Sequence, residues 1–104
     1  MGMGIGTNTQ KPDEGKMEHV QEEIACGVWF TSKGNTMPKI VKFQDEEGII
    51  RSITNIRVLI QEKKCYCGIP VWEYRCSTLL QEKEFLFRLY YYPEECRWKI
   101  AWNC

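Results

Sequence analysis

Six cysteines and one histidine are the side chains of this sequence best suited to ligate a metal or attack a substrate, and their spacing limits what they can do. Cys26, Cys65, Cys67, Cys76, Cys96 and Cys104 contain one close pair, Cys65-x-Cys67, and no Cys-x-x-Cys knuckle. Structural zinc normally takes two tight pairs, so that two short turns aim four ligands at one ion. The pattern favours free thiols acting as small apolar side chains in a reducing compartment. A zinc-stabilised module and a disulfide framework are the rival readings. His19 is the only histidine and lies in a stretch with little to bury, read as a tail, so a Cys-His or Ser-His pair held by packed scaffold is not expected. The carboxylate groups Glu22-Glu23, Asp45-Glu46-Glu47 and Glu94-Glu95 fall at strand starts and turns, where charge faces water. No glycine-rich loop leads into a helix, so the phosphate cradle of nucleotide enzymes is missing. The expectation is a protein without catalytic residues and without a cofactor.

Binding chemistry is better represented. The segment from Glu84 to Trp102 alternates on both sides of Pro93-Glu94-Glu95-Cys96, which reads as a β-hairpin with a four-residue loop. In that register Tyr91 faces Trp98, Leu89 faces Ile100 and Phe87 faces Trp102 on an inner surface. Arg88, Tyr90, Tyr92, Arg97 and Lys99 then share the outer one. Tyrosines interleaved with cations can stack bases while touching phosphates, as single-strand-binding barrels do. The plainer reading is a solvated sheet face, where long cationic stems cover the rings and each cross-strand pair adds about 0.2 to 1 kcal/mol. Trp29 is the other candidate, because Val28 and Phe30 in the same strand are expected inside and Trp29 outside, where it could anchor an interface or close a second small core.

These candidates need strands to hold them. Ile24, Cys26, Val28 and Phe30 recur with period two, ending at Gly34-Asn35-Thr36-Met37-Pro38. A strand over 39–44 follows, then the turn Asp45-Glu46-Glu47-Gly48, in which Gly48 supplies a positive φ. Two registers compete beyond it: Phe43 opposite Ile50, or Val41 opposite Ile53, with a bulge expected to reconcile them. Ile49 to Lys64 is rich in β-branched residues, which favours two strands broken near Asn55 over a helix. Gly68-Ile69-Pro70 turns into a strand over 71–80 with Trp72, Tyr74 and Cys76 on one face, and Gln81-Glu82-Lys83 turns into the closing hairpin. Six to seven strands with short connections make an all-β protein, a small antiparallel meander or SH3-like barrel over residues 22–104. Residues 1–21 read as a disordered tail, with a short helix through Met17, Val20 and Ile24 as the competing reading.

The run Val28-Trp29-Phe30, the entry Met37-Pro38-Lys39, Asp45-Glu46-Glu47-Gly48 before Ile49-Ile50, and Tyr74-Arg75-Cys76 ahead of an aromatic hairpin give the chain its resemblance. It resembles small uncharacterised all-β proteins of Gram-positive bacteria, of the kind carried on mobile elements. The resemblance implies the fold and transfers no functional residue.

Composition sets the remaining bounds. With 104 residues there is room for one domain, and 43% hydrophobic with 27% charged residues is the balance of a folded chain. No apolar run is long enough to span a membrane, and none resembles a signal peptide, so a cytoplasmic location without membrane association is expected. Residues 1–48 carry five Lys or Arg against eight Asp or Glu, and residues 49–104 carry nine against six, giving halves of −3 and +3 and no net charge. Zero net charge removes the long-range attraction that draws proteins to nucleic acid. The expected role is a non-enzymatic binding or accessory module with a protein partner, ahead of a single-stranded nucleic-acid binder.

Overall fold

The computed structural model describes residues 13–17 and 20–102. Seven strands follow in chain order: β1 Glu22–Phe30, β2 Thr36–Gln44, β3 Ile50–Ile53, β4 Arg57–Tyr66, β5 Ile69–Leu80, β6 Lys83–Tyr92 and β7 Arg97–Trp102. They form one antiparallel sheet of order β3-β2-β1-β7-β6-β5-β4, and the described residues contain no helix. The all-β expectation is met. Glu22 to Phe30 is strand, so the helical reading fails over that stretch. The expected tail, residues 1–21, falls mainly on residues outside the described ones, but Asp13 to Met17 lie against the sheet.

Pairing directions reveal how the sheet is shaped. Counting antiparallel steps across the sheet, β3 and β4 run the same way although they sit at opposite edges. Only Thr54, Asn55 and Ile56 join them, and four Cα steps reach at most about 14 Å. Opposite edges of a flat seven-stranded sheet would stand about 29 Å apart. The sheet must therefore curl until its edges approach, and residues 50–66 act as one bent strand that serves both edges. This gives a curled half-barrel whose seam is crossed by covalent chain.

The inner face carries the core. Val41, Ile53, Tyr74, Cys76, Phe87, Leu89, Trp98 and Ile100 are buried together, with Ile24, Val28, Trp72 and Tyr91 packed against them. Tyr91 pairs with Trp98, Leu89 with Ile100 and Phe87 with Trp102, the register expected from the alternation. Trp98 stacks between Tyr74 and Tyr91, at centroid distances of 5.5 and 4.9 Å. Such aromatic pairs add about 0.5 to 1.5 kcal/mol beyond the area they bury.

Several local expectations need correction. The β2–β3 hairpin needs no bulge: Val41 opposes Ile53 and Phe43 opposes Arg51 in unbroken register. The Asp45 carboxylate decides this by accepting from the Glu47 and Ile49 amides and from Arg51 Nε at 2.8 Å, while Gly48 takes the foreseen positive φ of 83°. The bulges lie instead at Lys39 on β2, opposite Gly27/Val28, and between Val58 and Ile60 on β4. The second strand starts at Thr36 rather than at Lys39, with Pro38 pairing inside it. Proline is tolerated there because β3 pairs only with Val41 to Gln44 and leaves that edge of β2 free.

Candidate functional site

The outer face of β6 and β7 does not present the aromatic and cationic platform expected of it. Tyr90 is wholly buried and Tyr92 is 7% exposed. With Val71 and Ala101 they form a second small core on the outer side of the sheet, covered by Met17 and Tyr66. The Tyr92 hydroxyl donates to Gln21 Oε1 at 2.6 Å. Burial pushes the Tyr90 phenol up to about 12, so it stays neutral. Neither ring has a free face on which a base could stack.

The cations of that set are committed as well. Arg97 donates to Glu23 Oε1 at 2.9 Å, and Lys99 Nζ stands 4.8 Å from the centre of the Tyr92 ring. Arg88 Nη1 donates to Glu73 Oε2 at 3.1 Å. Glu73 is the feature that the sequence reading missed. Its side chain is fully buried, yet it faces outward on β5, where the Tyr66 hydroxyl donates to Oε1 at 2.7 Å. Lys64 Nζ and Arg75 Nε lie 3.6 and 3.7 Å from Oε2. Burial and the adjacent carboxylate push the Tyr66 phenol well above its ordinary range, which keeps it a donor. A buried carboxylate needs such partners, because stripping its water costs several kcal/mol. The cluster clamps β4, β5 and β6 together. Its signal in the sequence was the cross-strand register, which places Glu73 beside Tyr90, Glu62, Arg75 and Arg88 only once the strand partners are known.

Trp29 stands where it was expected. It is 67% exposed, opposite Met37 on the outer side of β1 and β2. Phe30 does not follow the inward assignment: it sits at the strand end, 68% exposed. The described N-terminal residues Asp13 to Met17 lie on β4 to β7, away from this corner.

The thiols divide by position. Cys76 is buried in the main core and its pKa is pushed up to about 12 by that burial. Cys65 lies near the end of β4 and Cys67 in the β4–β5 turn, with Cys67 exposed, and all five described cysteines are free. Among the described residues no group of three or more His, Cys, Asp or Glu is placed to hold a metal ion. His19 and Cys104 lie outside the described residues. No described helix is long and apolar enough to cross a membrane.

A broad concave feature lies at the end of the half-barrel where β3 meets the β5–β6 turn. Phe43, Ile53, Leu80, Phe85 and Trp102 wall a depression of about 480 Å³, with Arg51 and Lys83 at its rim. These side chains belong to the inner face, but here the core runs out to solvent: Phe85 is 44% and Trp102 37% exposed. Trp102 is held edge-on by Phe43 at 5.3 Å and tilted against Phe87 at 5.8 Å. On its other side a second depression of about 430 Å³ is lined by Glu22, Asp45, Glu46 and Glu47. The site is thus a rigid aromatic wall with an apolar hollow on one side and an acidic hollow on the other.

Fold and site together define a small curled antiparallel β-sheet protein with an open apolar end. The chain matches no family model, no curated protein and no solved structure.

Proposed function

We propose that this protein is a non-enzymatic binding module that docks a protein partner on the open end of the half-barrel, around Trp102. The observation that carries the reading is the exposure of Phe85, Leu80 and Trp102 on the face that elsewhere forms the core. Large apolar side chains left uncovered around a concave feature mark interaction sites, and Trp is enriched among the residues that dominate binding energy. Trp102 is also pre-positioned by two aromatic neighbours, so little rotamer freedom is lost when a partner covers it. A mobile-element setting, implied by the resemblance of the sequence, suits an accessory protein of this size that acts through contacts.

The reading is tested in cells with a photo-crosslinking phenylalanine analogue at position 85. Irradiation should yield one discrete adduct with a second polypeptide, and Trp102→Ala in the same chain should abolish it. A chain that folds, by circular dichroism, and gives no adduct from position 85 would overturn the proposal.

A further inference from the structure

The outer face of the sheet already holds a short segment, turned at its start where Asp13 Oδ1 accepts from Gly15 N at 2.6 Å and Gly15 takes a φ of 79°, and its contacts define what that face accepts. The Asp13 carboxylate sits over the β4–β5 turn, accepting from Gly68 N at 2.6 Å, Cys67 N at 3.0 Å and Cys65 Sγ at 3.5 Å. Glu14 N donates to Cys65 O at 2.6 Å, the one backbone bond between the segment and the sheet. Four residues after Asp13, the Met17 side chain covers the outer cluster of Val71, Tyr90 and Tyr92. No strand forms within Asp13 to Met17. The backbone beneath it is held by other strands: Tyr90 and Ala101 by the pairing of β5, β6 and β7, and Val71 by that of β4 with β5.

We propose that this outer face is a groove for a short peptide that leads with an aspartate and places an unbranched apolar side chain four residues on, and that Asp13–Met17 fills it in cis as a displaceable strap. The turn amides of Cys67 and Gly68 form the carboxylate subsite, as successive backbone N–H groups do in anion-binding nests. The aromatic cluster forms the apolar subsite. The lowered pKa of Asp13, caused first by its bond from the Gly68 amide, agrees with a carboxylate that is held as the anion. This groove is separate from the apolar end around Trp102, and either can fail without the other.

The test uses the full chain carrying Asp13→Ala together with Met17→Asp, and a fluorescent synthetic peptide with the sequence of residues 11–21. The peptide should bind the altered chain at least tenfold more tightly than the unaltered one, in which the strap competes. The same peptide with asparagine in place of its aspartate should lose that binding. Equal binding to both chains, or none to the altered chain, would overturn the proposal. Binding of a single-stranded oligonucleotide in place of the peptide would overturn it too, in favour of nucleic acid. Hydrogen exchange separates a strap from a structural part of the fold. In Asp13→Ala the Cys67 and Gly68 amides should exchange about tenfold faster or more, with β6 and β7 unchanged; acceleration throughout the sheet would mean that the segment is not displaceable.

Discussion

Gly27 shows how a single side chain, or the lack of one, fixes where two strands sit. A Cβ at this position would come within 2.6 Å of Ile40 Cγ2, across the register in which Gly27 faces Ile40. Ile40 cannot withdraw freely, because β2 is held by β1 on one side and by the bulge one residue away. Gly27→Ala should therefore destabilise the protein by about 1 to 3 kcal/mol, in the range of overpacked sites, as read from chemical denaturation. An unchanged midpoint would mean that β2 shifts without cost. Glu73 makes the converse point: a charge at the centre of an outer face, legible in the sequence only as one more alternating polar residue. Its partners come from positions 64, 66, 75 and 88, on three strands, and no local pattern joins them.

At the scale of elements, the turns carry most of the information and some of the strain. The β5–β6 connection is a two-residue turn in which both central residues, Gln81 and Glu82, have positive φ, 51° and 67°. That geometry matches the twist of the flanking strands and suits Asn-Gly, whereas other L-residues pay about 1 kcal/mol or more to adopt it. Glu82→Gly should raise stability by about 0.5 to 1 kcal/mol, seen as a higher melting temperature, and a drop would show that the Glu82 side chain has a stabilising contact. The β2–β3 turn differs. There Asp45 and Gly48 satisfy the geometry with their own chemistry, which is why its position was readable from Asp45-Glu46-Glu47-Gly48 while its register was not. The break near Asn55 was readable too, from the β-branched runs on either side.

For the molecule as a whole, the three-residue link between the two sheet edges determines the curvature, and the curvature determines which apolar residues are covered. Central strands are paired on both sides, whereas β3 and β4 have one partner each. Amides of β6 and β7 should be the last to exchange with deuterium, and those of β3 and the exposed edge of β4 among the first. Uniform protection would indicate that the seam between β2 and β4 is closed by pairing or by a second molecule. The same curvature leaves Phe85 and Trp102 at an unsealed end, and it is this geometry, not their place in an alternating strand, that makes them candidates for binding.

Alternation, β-branching and turn residues determined the strand content, the closing hairpin register and the inner aromatics, because each depends on neighbours a few residues away. The outward course of Trp29 followed from the same period of two. Burial of Tyr90 and Tyr92 was decided by Met17 and Gln21, some seventy residues earlier in the chain, and the commitment of Arg88 by Glu73 on the adjacent strand. Period two can say which residues share a face. Whether that face meets water depends on what folds back over it, and only the tertiary structure supplies that.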